Sequence, residues 1–398
     1  MKKVLVAHPG TQHAAHLVRE LHHRQLLSGF HTCLAWSTQS VTASVLRGAG
    51  QERRLATRML DGIPPALIST YPLLEWRAWR NRRNGMSPNQ VYLQRNEAFQ
   101  QRIPDRALQD VDEVIGFDTS SWLLAQRMQS FRGRFIMEQT IGHPRAAWEA
   151  SVQVAQQYPD WQQSWVPKAE SLIRFEEDEH RLADLIVAPG SFVAETLVKN
   201  GVSKDKIRIN PFGTDTRRYH PVSSTLTAKP FVFLFVGALS ARKGLPVLLN
   251  AWKSLAGKNA ELWLAGGGQL PSHVTQQLPA GVRILGRVLK SEMPELYRRA
   301  HAFVFPSFFE GQSIALIEAA ASGLPIIATR EAGAAEIVSE GETGYLLPAG
   351  DELQLADAMM RLFADRTSWM ALTNHARHRA ALWSWDHYGR RWSEIIGA

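Results

Sequence analysis

Three observations in this chain predict an α/β protein built as two doubly wound parallel sheets. Short apolar runs alternate with helix-length segments along the whole chain, the pattern of parallel strands joined by crossover helices. The alternation occurs twice and is interrupted over residues 207–230, where prolines, serines and threonines accumulate and where the linker, 213–229, is placed. The chain also has 398 residues, more than one core usually serves, so two domains of about 150 to 200 residues are expected. Two such Rossmann-like domains face each other across a cleft, with ligands outside the carboxyl ends of the strands.

The first domain, residues 1–212, opens with the strand KKVLVA and a Pro-Gly turn. Helical periodicity follows from Gln12 to a glycine stop at Gly29, and FHTCLAW is the next strand. EVIGF (113–117), RFIMEQ (134–139) and ADLIVAPG (183–190) read as further strands. Residues 148–181 read as largely helical, and the acidic cluster Glu176, Glu177, Asp178 and Glu179 within them as a solvated face, because neighbouring carboxylates on a helix point different ways. Residues 213–229 are the linker. The second domain, 230–380, contributes FVFLFVGAL, ELWLAGGG, GVRILG, AHAFVFPS, LPIIAT and GYLLPAG as strands with their turns. Residues 381–398 form an amphipathic helix returning toward the first domain, with Trp385, Tyr388, Trp392 and Ile395 or Ile396 on one side.

Composition narrows the class. Cys33 is the only cysteine, which excludes an intramolecular disulfide and a Cys-built zinc site and suits a reducing compartment, so a cytoplasmic protein is expected. The first apolar stretch is too short for a signal peptide, and no run approaches the roughly 20 residues of a membrane span. Residues 1–100 hold 13 Lys+Arg against 5 Asp+Glu; the remainder hold 32 of each, so the whole excess of +8 lies in the first quarter. There EWRAWRNRRNG interleaves Trp76 and Trp79 with Arg77, Arg80, Arg82 and Arg83. This mixture suits an anionic lipid surface, and a peripheral place at the cytoplasmic membrane face is the expectation. Nucleic acid is not expected, since no nucleic-acid-binding signature accompanies the patch.

The most informative stretch is PSFFEGQSIALIEAAASGLPIIAT, residues 306–329. Glu310 lies in the loop after a buried strand; Glu318 lies eight residues on, inside an apolar helix, where a carboxylate is costly unless something satisfies it. Eight helical residues rise about 12 Å, so the two acids reach separate parts of one extended, hydroxyl-rich ligand. Between them the backbone N–H groups of Gly311, Gln312, Ser313 and Ile314 offer an anion site at a helix N-terminus. Hydroxyl, anion, hydroxyl is the order along a nucleotide sugar. FLFVGALSARKG ends another strand at Gly237 and places Arg242 and Lys243 where two cations can neutralise a departing diphosphate. In VRILGRV, Arg287 and Val288 stand where a base can stack.

The order of these segments resembles the retaining glycosyltransferases of family 4, which have the GT-B fold. The resemblance covers most of the chain and is strongest over residues 231–351, through EGQSIALIE, EAAASGLPIIATREAGAAEIVSEGETGYLLPAGD, which contains Glu336, and PFGTDTRRYHP in the linker. It implies that Glu310 holds hydroxyls of the transferred sugar, Glu318 the ribose and Lys243 the diphosphate, with backbone donors from Gly311 to Ser313. The family usually has a second cation five residues before the lysine; here that residue is Ala238, and Arg242 is the candidate replacement. The family also often has Phe-Gly after Glu-Gly, where this chain has Gln312 and Ser313.

The first domain supplies the acceptor-side candidates. Gly10, Thr11 and His13 lie in the first strand-to-helix turn, which is too poor in glycine to be a dinucleotide fingerprint. Asp118 follows the EVIGF strand, and His143 occupies the region where similar enzymes have a cleft histidine. His16 reads as a helix-surface residue. The expected reaction moves a hexose or related sugar from a nucleoside diphosphate to a glycan or lipid-linked hydroxyl, with retained configuration and no metal or other cofactor. Rival readings are a nucleotide-sugar 2-epimerase of the same architecture, a non-catalytic nucleotide-sugar-binding protein, and a nucleic-acid binder suggested by charge alone.

Overall fold

The computed structural model describes residues 2–10, 13–36, 58–220, 230–380 and 382–398. The first domain holds a seven-stranded sheet of β1 (Val4–Ala7), β2 (Leu27–Thr32), β3 (Ile68–Thr70), β4 (Glu113–Phe117), β5 (Arg134–Glu138), β6 (Leu185–Ala188) and β7 (Ile207–Ile209), in the order β3-β2-β1-β4-β5-β6-β7. The second holds a six-stranded sheet of β8 (Phe231–Val236), β9 (Ala260–Ala265), β10 (Val282–Gly286), β11 (Ala302–Phe305), β12 (Ile326–Thr329) and β13 (Gly344–Leu347), in the order β10-β9-β8-β11-β12-β13. All pairings between these strands are parallel. Helices on both faces bury the central strands, which is why VLVA and AFVF are apolar at every position rather than alternating. The strand order reverses between β1 and β4 and again between β8 and β11, so each domain offers a ligand crevice at its carboxyl edge.

The second core is unusually aromatic. Phe231, Phe233 and Phe235 alternate down one side of β8, and Phe303 and Phe305 stand beside them on β11, all fully buried. Ring centroids lie 4.9 Å apart for Phe231 and Phe233 and 5.8 Å apart for Phe235 and Phe305. Each buried ring contributes roughly 1.5–3 kcal/mol. This rigid floor carries the loops that bear Arg242, Lys243 and Glu310.

Several local expectations differ from the structure. The first helix, Ala14–His23, ends before Gly29, because Gln25 takes a left-handed backbone (φ 58°) and lets the Leu26 N–H return to the Leu21 carbonyl at 2.9 Å. Gly29 then lies inside β2, where an added Cβ would stand 3.0 Å from Leu5. The run over 148–181 is broken: a helix Pro144–Gln157, a 3-10 segment Pro159–Ser164, then a helix Glu170–Leu182. The acidic cluster in it is split: Glu177 and Asp178 stay at the surface, paired with Arg145 and Arg181, while its other two members turn inward. Glu176 and Glu179 are fully buried; Glu176 accepts from Lys168 at 2.5 Å and Gln139 at 2.9 Å, and Glu179 accepts the backbone N–H groups of Thr119 and Ser121 at 2.8 and 2.6 Å. Internal donors replace water for both carboxylates.

The domains are tied together at the linker and at the chain's last helix. Thr214 pairs with Ser384 in an isolated parallel bridge, and the helix Trp385–Ile396 packs on Ala14–His23 of the first domain. His16, expected on the surface, stacks on Trp385 with centroids 3.9 Å apart and planes 7° apart. Tyr388, Trp392 and Ile396 form the buried side of the last helix.

Candidate active site

Two loops at the carboxyl edge of the second sheet build the centre. After β8 the chain passes Gly237 and turns at Gly244, whose left-handed backbone (φ 72°) packs so closely on the Pro306 carbonyl that a Cβ would lie 1.7 Å from its oxygen. Only glycine fits there. The loop after β11 wraps the other side: the Phe308 N–H and the Ser307 hydroxyl donate to the Arg242 carbonyl at 2.8 and 3.0 Å. The two loops thus hold one another, and their side chains converge. Lys243 Nζ lies 2.5 Å from Glu310 Oε1, and the Arg242 guanidinium donates to the same oxygen. Arg242 also donates to the Phe309 carbonyl at 2.8 Å, and Lys243 sits over the Phe305 ring at 4.7 Å. Lys243 is buried, and loss of hydration pulls its pKa below the usual lysine value against the opposing pull of Glu310; Arg242 lowers it further.

Glu318 lies one helix-length away, on Ile314–Ala321. Its charge is satisfied within the protein: the Tyr219 hydroxyl donates to Oε1 at 2.8 Å and the Tyr297 hydroxyl to Oε2 at 3.0 Å. Burial nevertheless raises its pKa above the ordinary carboxylate range, with the two tyrosines acting against that rise. Neither tyrosine is singled out by its type. Tyr219 does fall within PFGTDTRRYHP, so the linker stretch itself is the signal, and Tyr297 is the fully buried aromatic of the helix Met293–Arg299.

The stretch between the glutamates is closed by the first domain. Gly311 forms an antiparallel bridge with Ile141; a Cβ on it would stand 1.8 Å from the Thr140 carbonyl oxygen, while a Cβ on Gly333 would stand 2.0 Å from the Gly311 oxygen. This differs from an open row of backbone donors, because the domains meet at Gly311. Gln312 Oε1 accepts the Phe212 N–H at 2.7 Å, and its Nε2 is buried without a partner. Ser313 is the N-cap residue of the helix, with no side-chain capping bond. Farther along the edge, Arg287 reaches over the turn after β9, where a Cβ on Gly267 would lie 2.5 Å from its Nε, and Val288 packs half-buried against the core.

The first-domain candidates separate. Asp118 Oδ1 accepts the Thr140 hydroxyl at 2.7 Å and the Thr140 N–H at 3.3 Å, so it braces the loop that meets Gly311. Burial, reinforced by nearby Glu176, pushes the Asp118 pKa up to about 6. His13 does not line an open loop: its Nε2 lies 2.6 Å from Glu138 Oε1, which also accepts the Tyr388 hydroxyl at 2.5 Å, and the His13 ring lies tilted against Phe212 with centroids 4.2 Å apart. Glu138 is a residue that sequence reasoning missed, since its partners, His13 and Tyr388, come from two segments at opposite ends of the chain. Gly10 backs onto His8, with its Cβ position 3.0 Å from His8 Nε2. Thr11 lies outside the described residues. His143 is 2% exposed and caps the helix Pro144–Gln157 by accepting the Arg145 N–H at 3.2 Å. Burial lowers its pKa. It lines a cavity of about 380 Å³ formed by first-domain residues, among them Glu177, His180 and Lys206.

A second cavity, of about 480 Å³, does lie between the domains, bounded by Gln153, Phe192 and Glu195 on one side and Phe308, Phe309 and Glu331 on the other. Phe192 meets Phe309 edge-on at 5.4 Å, and the Glu331 carbonyl accepts the Glu310 N–H at 2.9 Å, so this space adjoins the Glu310 loop.

Sucrose-phosphate synthase from Thermosynechococcus elongatus superposes with a TM-score of 0.69 at 20% identity, covering 100% of this chain and 98% of that one. Anabaena Alr3699/HepE in complex with UDP-glucose superposes with a TM-score of 0.63 at 15% identity, over the full length of both. The fold is GT-B. Within this GT-B architecture, residues 230–365 match the family model described as glycosyl transferases group 1. Sulfoquinovosyl transferase SQD2 of Arabidopsis thaliana is 28% identical over 244 residues, 57% of this chain and 46% of that protein. D-inositol 3-phosphate glycosyltransferase of Corynebacterium jeikeium (strain K411) is 30% identical over 229 residues, 51% of this chain and 55% of that protein. The chain spans about half the length of these curated relatives.

Proposed function

We propose that this protein is a retaining glycosyltransferase that moves a sugar from a nucleoside-diphosphate donor to an acceptor hydroxyl. The observation that carries the reading is the convergence of Lys243 and Arg242 on Glu310 at the carboxyl edge of β8 and β11. Two cations sharing one carboxylate leave a net positive charge that an incoming diphosphate can take up, releasing Glu310 to accept hydroxyls of the sugar. The match of residues 230–365 to the group 1 model supports this, as do the names of the relatives and a neighbour bound to UDP-glucose.

In this reading Glu318, oriented by Tyr219 and Tyr297, receives ribose hydroxyls on its remaining lone pairs. Acceptor oxygen and anomeric carbon join on the face from which the phosphate leaves; the departing phosphate oxygen takes the acceptor proton, and configuration is retained. Arg242 and Lys243 stabilise the released charge, a task that calls for no metal. Domain closure through the Ile141–Gly311 contact aligns the partners, and the cavity beside Phe309 gives a glycan acceptor room. The reading fits polysaccharide or glycolipid synthesis in the cytoplasm.

The test is a thermal-shift screen with UDP, GDP and their hexose conjugates, followed by anomer-resolved NMR of the transfer product. Binding of a nucleoside diphosphate must raise the melting temperature. Lys243→Ala should remove that rise. A wild-type-like shift in Lys243→Ala, or a product of inverted configuration, would refute the assignment.

A further inference from the structure

The helix Pro72–Arg83 begins one residue after β3, at the carboxyl edge of the first sheet, and its outer face mixes cations with large apolar side chains. Leu74, Ala78 and Asn81 turn toward the neighbouring helix Pro88–Arg102, where Asn81 donates to Gln94 at 3.1 Å. At 3.6 residues per turn, Trp79, Arg83, Trp76, Arg80, Leu73 and Arg77 follow one another around an outer arc of about 160°. The apolar members are not packed away: Leu73 is 61% exposed, Trp76 52% and Trp79 53%. Arg80 lies over the Trp76 ring at 5.0 Å and Arg83 over Trp79 at 4.8 Å, so each guanidinium is held at the face of an exposed indole. The helix has one acid, Glu75, and it is drawn aside to Arg95 at 3.3 Å and Arg58 at 3.6 Å. The outer arc therefore carries three arginines and no carboxylate; Arg82 lies outside it.

We infer that this face docks on an anionic lipid bilayer, with the helix lying in the interface plane. Charge complementarity selects the partner: a surface of negative headgroups matches an arc of cations without acids, in the quarter of the chain that holds the whole net charge. The apolar residues distinguish bilayer from nucleic acid. Tryptophan favours the headgroup region and an exposed leucine gains from the acyl boundary, whereas neither gains from a phosphodiester backbone. The inference does not depend on the transferase reading.

The full chain should co-sediment with phosphatidylcholine vesicles containing phosphatidylglycerol, should bind pure phosphatidylcholine far less, and should be released by salt. Arg80→Gln with Arg83→Gln should lower partitioning about fivefold for each arginine removed, the factor equivalent to about 1 kcal/mol per basic residue at an anionic leaflet. Trp76→Phe with Trp79→Phe should keep the fold and lose the part of the tryptophan emission quenched by brominated acyl chains. Equal binding to both vesicle types, wild-type binding by the arginine variant, or binding of duplex DNA without binding of vesicles would each overturn the inference. Thermal shifts with UDP should be the same in all these variants, so failure of docking and failure of donor binding are told apart.

Discussion

The Glu336 carboxylate accepts the backbone N–H of Ser191 at 2.6 Å, so an acid of the second domain caps the helix Ser191–Lys199 of the first. Gly190 makes room for it, since a Cβ there would lie 3.0 Å from Glu336 Oε2. Arg379 holds the Glu336 carbonyl from behind at 2.9 Å. Glu336→Ala removes both the cap and a negative charge at a helix N-terminus, a loss of about 1–2 kcal/mol. Because the cap spans the domains, the variant should also scatter X-rays with a larger radius of gyration. An unchanged radius would mean that the contact does not hold the domains closed.

Lys243→Ala and Glu310→Gln should each lower kcat/KM for transfer by about 10²–10³, the usual effect of deleting one preorganised charge partner. Arg242→Ala should behave similarly, because Arg242 shares the same Glu310 oxygen. Near-UV circular dichroism should remain that of the wild type. Full activity in Arg242→Ala would leave Lys243 as the single required cation.

Tyr219→Phe removes one of the two hydroxyls on Glu318 and should cost about 1.5–3 kcal/mol at neutral pH. Burial already raises the Glu318 pKa, so its contribution to stability is fully present below the unfolded value of 4.5 and is lost as pH rises through the folded one. Without Tyr219 the folded pKa rises further and the loss grows. The gap in melting temperature between wild type and variant should therefore be wider at pH 7.5 than at pH 4.

Asp118→Asn should stabilise the protein at neutral pH. The Asp118 pKa is raised to about 6 from 3.8, first by burial, so ionisation on going from acid to neutral pH works against the fold. Asparagine keeps an oxygen for Thr140 and carries no charge. A gain of roughly 1–3 kcal/mol is expected above pH 6 and should vanish below about pH 4. Melting curves across that range decide it; a loss of stability at pH 7.5 would show that the carboxylate charge is needed.

Much of the fold is legible because parallel strands buried on both faces leave continuous apolar runs such as FVFLFV and AFVF, and these order themselves along the chain. The loop with Glu310 and the Arg-Lys pair are legible for the same reason: both follow such a strand directly. What escaped depends on partners far away in sequence. Glu176 and Glu179 look like surface charge until Lys168, Gln139 and two backbone N–H groups are folded around them. His13 looks like a loop residue until Glu138, Phe212 and Tyr388 enclose it. Glu318 reads as a carboxylate that a hydroxyl-rich ligand must satisfy, yet two tyrosines 99 and 21 residues away already donate to it. Local pattern records burial well and long-range satisfaction poorly.

The chain crosses between the domains twice, and Thr214 and Ser384 lie side by side where it does so. Two adjacent parallel crossings resist torsion where a single one would let the lobes swivel freely. The two lobes are thereby held in the arrangement that brings Gly311 against Ile141.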